Sequence, residues 1–219
     1  MRIVTVTFDY SGSMYEGLYK AFYASVVTNS QIPIETVRID PGKNRRKTKH
    51  ANTIKLDVWN DFIQDADEDI ILMDCDLLLM KDISEGFEDV ENVGITTRDY
   101  GKGFPFNGGV VFVRNTKRSK RFFKEWLKIN NWMYDTPEVH KRYKNIYAGM
   151  NQSALGYMLG QGWHVDKLPM SKYNLCEDWS NWQDASVIHI KGKLRKNLKS
   201  NGEIQQMWKF YRKLYETLN

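Results

Sequence analysis

Two aspartates one residue apart, Asp74 and Asp76, directly follow the apolar run Ile-Ile-Leu-Met at positions 70–73. In an extended chain residues i and i+2 point to the same side, so the two carboxylates are expected together. A short continuous apolar run marks a strand covered on both faces, and open α/β sheets bind ligands just beyond the carboxyl ends of such strands. Adjacent carboxylates repel, and a hard divalent cation that keeps positions open for substrate phosphates is one way to hold them. Lysine or arginine partners are another. A solvated loop start needs neither, so the triplet alone leaves these readings open.

A second group of residues lies in VIHIKGKLRK (187–196). His189 ends an apolar strand pattern, and Lys191, Gly192, Lys193, Arg195 and Lys196 follow it. Gly192 permits close backbone approach, and the cations can hold a diphosphate. An imidazole beside two carboxylates would suit Mn²⁺ better than Mg²⁺, which prefers oxygen donors throughout. A satisfied core histidine followed by a solvated basic strand end would look the same. The third group is Phe106-Asn107-Gly108-Gly109, where small residues entering a strand leave room for a ligand and Asn107 can both donate and accept. The basic run KNRRKTK (43–49) reads as a solvated loop able to close over an anion, rather than a nucleic-acid patch.

These groups need elements to position them. Strands are expected at 2–8, 34–39, 69–73, 93–97, 109–113 and 187–190, from β-branched and aromatic runs bounded by turn residues. Helical spacing predicts helices at 15–29, 51–64, 117–134 and 150–159, with an amphipathic tail helix from Glu203 to Leu218. In the 51–64 helix, Ile54, Leu56, Val58 and Phe62 are expected on one side. The polar stretch 135–149 reads as a mobile loop. Strand and helix alternate through the first half, which predicts an α/β fold with a mostly parallel central sheet flanked by helices. The 219 residues suit one domain spanning 1–219.

Composition removes other classes. With 42% hydrophobic and 27% charged residues the chain is ordinary globular protein, not disordered or fibrous. The net charge of +5 favours anionic partners without naming one. Two cysteines, Cys75 and Cys176, are too few for a disulfide framework and point to a reducing, cytoplasmic setting. No apolar run approaches a membrane span, so no transmembrane segment is expected. A Gly-rich dinucleotide fingerprint, a P-loop, a GxSxG elbow and an HExxH pair are all missing.

In order along the chain, these features resemble glycosyltransferase family 8 on a GT-A fold, the group that includes glycogenin and bacterial lipooligosaccharide galactosyltransferases. KLDVWNDFIQDADEDIILMDCDLLLMKDISEGF is similar to that family's DxD segment. FNGGVVFVRN is similar to its FN-small-G motif, GMNQSALGYML to its Asp-Gln helix start, and HIKGKLRK to its HxxGxxK motif. VTFDYSGSMYEG loosely resembles the opening segment that cradles the base, so the likeness covers most of residues 3–196.

The resemblance implies a metal-dependent transferase with a UDP-sugar donor and a glycan or other hydroxyl acceptor, no nucleic-acid partner being expected. It implies that Asp74, Asp76 and His189 bind a divalent cation, Mn²⁺ or else Mg²⁺. Phe8, Asp9 and Tyr15 would lie near the uridine, and Asp74 would also touch the ribose. Lys55, Asn107 and Gly108 would face the donor sugar, while Gly192, Lys193 and Arg195 would hold the diphosphate. Asn107, Asn151 and Gln152 would line the reacting centre. Three departures stand out. Asn151 replaces the family's usual Asp, Arg195 replaces the HxxGxxK lysine, and no Pro-Trp follows it. Without a carboxylate at 151, same-face attack with retention is expected rather than double displacement. The alternatives are a phosphatase or phosphotransferase with Asp74 as nucleophile, and a basic nucleic-acid-binding module built on 43–49 and 191–199. Trp179, Trp182 and Tyr173 offer aromatic faces to an acceptor or belong to the core.

Overall fold

β-Branched runs and 3.6-residue apolar spacing set up the alternation of strands and helices in the computed structural model. It describes residues 1–8, 14–40, 48–97, 105–147, 149–176, 180–198 and 202–218. The elements are β1 (Arg2–Phe8), α1 (Met14–Asn29), β2 (Ile34–Ile39), α2 (Thr48–Asp65), β3 (Ile70–Asp74), β4 (Leu77–Leu79), β5 (Val93–Thr97) and β6 (Phe106–Val113). They continue with α3 (Lys117–Asp135), α4 (Pro137–Tyr143), α5 (Met150–Gly160), β7 (Asp166–Pro169), α6 (Met170–Tyr173), β8 (Val187–His189), α7 (Gly192–Asn197) and α8 (Gly202–Leu218).

Six strands form a sheet in the order β2-β1-β3-β6-β5-β7, and β4 pairs with β8 in a second, two-stranded sheet. In the main sheet β6 alone is reversed; the other five strands run the same way. The expected mostly parallel α/β sheet is therefore what forms. The chain leaves β1 for β2 on one side and returns to β3 on the other. The carboxyl ends of β1 and β3 thus flank the crevice where such sheets bind ligands.

Period-2 alternation splits the core. Val4, Val6, Ile70, Leu72, Val111 and Val113 face α2, α3 and α5, while Ile3, Ile71, Met73, Val110 and Phe112 face α1 and the small sheet. A third cluster joins Leu18, Ala21 and Ala24 of α1 to Leu78, Ile188, Ile204 and Tyr211, so that α8 is clamped onto the small sheet through α1.

Several expectations shift. The buried face of α2 is Leu56, Trp59 and Ile63 rather than the Ile54–Val58–Phe62 line, whose members are only partly covered. The stretch read as a mobile loop contains α4, which Thr136 precedes, Pro137 opens at its first turn and basic side chains close. Those are helix start and stop signals. FNGG is not a lead-in but the first half of β6. β4 and β7 are too short, at three and four residues, to show a period. The run 43–49 lies outside the described residues up to Lys47, and its last two positions belong to α2.

Phe112 is fully buried and meets Phe87 and Tyr173 edge to face at 5.2 and 5.6 Å. Phe112→Ala should cost about 3–5 kcal/mol, lowering Tm by roughly 6–20 °C for a chain of this size. A calorimetric fall of less than about 3 °C would show that this layer is not the continuous core described.

Candidate active site

β3 ends at Asp74, and the chain turns through Cys75 and Asp76 before entering β4. The two carboxylates therefore meet across a turn, not along an extended strand as expected. The small sheet supplies the third side chain. Leu77, next to Asp76, pairs with His189, and the Ile190 amide donates to the Asp76 carbonyl at 2.8 Å. His189 Nε2 lies 3.1 Å from Asp76 Oδ1 and 3.9 Å from Asp74 Oδ2. One donor atom from each of Asp74, Asp76 and His189 falls within 4.8 Å of the others. Two hard carboxylate oxygens and one imidazole nitrogen fit a hard divalent cation.

The reversed strand β6 brings FNGG to the same edge. Met73 pairs with Val110, so Gly109 sits beside Asp74. Between Ile95 and Thr96 the β5 register jumps from Val111 to Asn107, a bulge that turns Gly108 and Gly109 toward the site. A Cβ on Gly109 would lie 2.6–2.7 Å from the His189 ring, so only glycine lets the imidazole reach the carboxylates.

A cleft of about 360 Å³ opens over these residues. It is lined by Lys55, Asp74, Asp76, Asn107, Gly108, Gly109, Asn151, Gln152, His189 and Arg195, and also by Asn52, Trp59, Trp126, Gly149 and Lys191. Lys55 Nζ reaches Asp74 Oδ1 at 2.6 Å and lies 4.4 Å from the centre of the Trp59 ring. Arg195 contacts Asp76 Oδ2, donates to the Tyr15 hydroxyl at 2.6 Å, and lies over that ring at 4.7 Å. Burial alone would lift the Asp76 carboxyl, but His189, Arg195 and Lys55 outweigh it and hold it down at about 2. Neighbouring Cys75 feels burial and the charges of Asp76 and Asp74 in the same direction, and its thiol is pushed up to about 12.

The amide residues divide. Asn107 is buried, its Oδ1 accepting from the Gly109 amide at 3.1 Å and its Nδ2 facing Cys176 Sγ at 3.6 Å. Those bonds brace the bulge. Gln152 Oε1 accepts from the Gly108 amide at 3.2 Å. Asn151 Nδ2 donates to the Asn52 carbonyl at 2.9 Å, leaving its buried Oδ1 without a hydrogen-bond partner among the described residues. An aspartate there could not donate to that carbonyl, which accounts physically for the amide at 151.

Other expected positions lie at or beyond the rim. Phe8 ends β1, two residues past Val6, the partner of Asp74, and packs on the core without lining the cleft. Tyr15 meets the cleft through Arg195. Gly192, at φ +53, turns the chain from β8 into α7 and lies outside the lining. Asp9 and the Lys193 side chain lie outside the described residues. Tyr173 is core, Trp182 is partly buried against the third cluster, and Trp179 lies outside the described residues. Lys191, expected among the cations after His189, lines the cleft, while sequence reasoning passed over Asn52, Trp59, Trp126 and Gly149 in the lining, and Asn174, whose Oδ1 is 2.8 Å from His189 Nδ1. Trp59 and Asn52 were findable, since both lie near Lys55 on helix α2.

A family model described as nucleotide-diphospho-sugar transferase matches residues 35–201. No curated protein sequence matches the chain. Among solved structures, a glycosyltransferase involved in glycosylation of the major capsid of PBCV-1 is similar over 94% of this chain and 99% of its own, at 11% identity and TM-score 0.63. The glycosyltransferase GlyE of Streptococcus pneumoniae TIGR4, without ligand, is similar at 14% identity and TM-score 0.64, the match covering 96% of this chain but 60% of GlyE. The galactosyltransferase LgtC, in complex with donor and acceptor sugar analogues, gives 14% identity and TM-score 0.54 over 88% of this chain and 87% of its own. At such identities the likeness is one of fold, and that fold is GT-A.

A thiol held near 12 is almost wholly protonated at pH 8. Cys75 should therefore react with a thiol reagent at that pH at least on the order of a hundred-fold more slowly in the folded protein than in urea. Equal rates would contradict the electrostatics described here.

Proposed function

Since the chain belongs to the nucleotide-diphospho-sugar transferase family, we propose that it moves a sugar from UDP to a hydroxyl of a glycan or similar acceptor, with retention. The observation that carries this reading is the meeting of Asp74, Asp76 and His189 in a cleft that also holds Lys55, Lys191 and Arg195. Asp74, Asp76 and His189 would hold the metal, taken here as Mn²⁺ because one donor is nitrogen. When bound, a divalent cation supplies positive charge to the diphosphate as UDP leaves.

The chain's own residues do the rest. Arg195, with Gly192 and Lys193 beside it, would hold diphosphate oxygens, and a guanidinium suits that bidentate work. Tyr15, beneath Arg195, with Phe8 and Asp9 at the end of β1, would take the uridine. Asp74 would also touch the ribose. Lys55 and Gly108 would border the donor sugar. Asn107 would keep the bulge in shape and its amide close to the anomeric carbon. Asn151 Oδ1, buried and without a partner among the described residues, would accept from a sugar hydroxyl, and Gln152, its oxygen held by Gly108, would keep its amide N–H groups for the reacting centre.

No carboxylate stands at 151 to serve as nucleophile, which supports same-face attack. The acceptor oxygen would bond to the anomeric carbon as the bond to UDP breaks, its proton passing to a diphosphate oxygen. Residues 1–219 would act as one catalytic unit. The two cysteines, neither of them in a disulfide, support a cytoplasmic setting. The family match lends no support to the aspartyl-phosphatase or nucleic-acid readings.

UDP with Mn²⁺, at about a hundred times its Kd, should stabilise by about 2.7 kcal/mol, raising Tm by roughly 5–11 °C. The shift should vanish without metal or in Asp76→Ala; a shift indifferent to both would remove the metal from the account. Once a donor is found, an α-linked UDP-sugar should give an α-linked product by NMR, and clean inversion would sink same-face attack.

A further inference from the structure

We propose that Asn174 is the positioning residue that decides which nitrogen of His189 faces the two aspartates, an inference that rests on the metal site proposed above. Four polar side chains, Thr96, Asn107, Asn174 and His189, are closed off from solvent behind the site, none more than 3% exposed. Their hydrogen bonds admit one arrangement. The Thr96 hydroxyl donates to the Asn107 carbonyl at 2.7 Å, so its oxygen is left as an acceptor for Asn174. Asn174 Nδ2 lies 2.8 Å from that oxygen and 3.2 Å from the Asn107 carbonyl. Two acceptors on one side require the amide nitrogen there, which turns Oδ1 to the other side, 2.8 Å from His189 Nδ1. An amide oxygen only accepts, so Nδ1 carries the hydrogen.

With Nδ1 committed to Asn174, Nε2 is the nitrogen turned to Asp76 and Asp74 and the one open to a metal. A metal bound there would take the Nε2 lone pair while the hydrogen on Nδ1 stays with Asn174. The ring has little freedom to turn away, because Gly109 closes one side of it. The backbone holds Asn174 in register. The Leu175 amide donates to the Val187 carbonyl at 2.9 Å, and the His189 amide to the Leu175 carbonyl at 2.8 Å. Asn174 therefore travels with β8. Ligands of this kind lose metal affinity when the group on their second nitrogen is removed.

Mn²⁺ binding, followed by the EPR signal of the free ion, should be tight enough to measure in wild type and lost in Asp76→Ala. Asn174→Ala should weaken it about 10–100-fold while retaining a cooperative melt. Wild-type affinity in a folded Asn174→Ala protein would overturn the inference. If that variant fails to fold, ¹⁵N NMR of histidine-labelled wild type decides the matter, with His189 assigned by its absence in His189→Gln. The inference expects a hydrogen on Nδ1 of His189 in the metal-free protein, and an Nδ1 that carries none would overturn it. No Mn²⁺ binding in wild type would count against the metal reading itself, and the NMR measurement would still test the bond between Asn174 and His189.

Discussion

Two carboxylates held close together repel, and much of the surrounding structure exists to keep Asp74 and Asp76 within 4.8 Å of each other and of a His189 nitrogen. A buried charge without a partner costs several kcal/mol. Here each aspartate has a cation, Lys55 on Asp74 and Arg195 on Asp76, and Asp76 stays ionised despite its burial. Those cations come from different directions, one from a helix before β3 and one from the short helix after β8. Any phosphate-bearing ligand that enters the cleft meets the same cations. The charge arrangement that stabilises the fold locally is therefore also the one suited to an anionic leaving group.

The connectivity serves that convergence. Asp76 and Arg195 are 119 residues apart in sequence, and bringing such distant groups together carries a loop-closure cost that local contacts must offset. The small sheet offsets it with fully buried Leu77, Leu78 and Leu79 against Val187 and Ile188. β6 contributes through its direction. Reversed among five like-oriented strands, it starts where β3 ends, which sets the bulge and its two glycines beside Asp74. With a side chain at Gly109 the imidazole could not reach the carboxylates.

How much of this was readable beforehand depended on range. β1, β2 and β5, and the helices beginning near 117 and 150, announce themselves through local period, and their positions agree with the structure to within a residue or so. The Asp-x-Asp triplet and the His-x-x-Gly segment were conspicuous because residue type alone suggested their chemistry. That they meet was implied by resemblance, not by spacing, since nothing local links 76 to 189. β4 and β7 are too short to carry a pattern. Pro137 and Glu138 were a readable helix start hidden in a polar stretch. Asn174 had no local signal at all. It lies in a segment whose aromatic residues drew attention, and its role depends on three partners, Thr96, Asn107 and His189, scattered over almost a hundred positions.

The account stands or falls on a single cation being shared by Asp74, Asp76 and His189. Anomalous scattering at the manganese edge, from crystals grown with UDP and Mn²⁺, tests it most directly. One peak bonded to both carboxylates and to His189 Nε2, with the UDP diphosphate completing its shell, is the predicted result. UDP seated in the cleft with no peak there, or a peak held by the aspartates while His189 faces away, would contradict it.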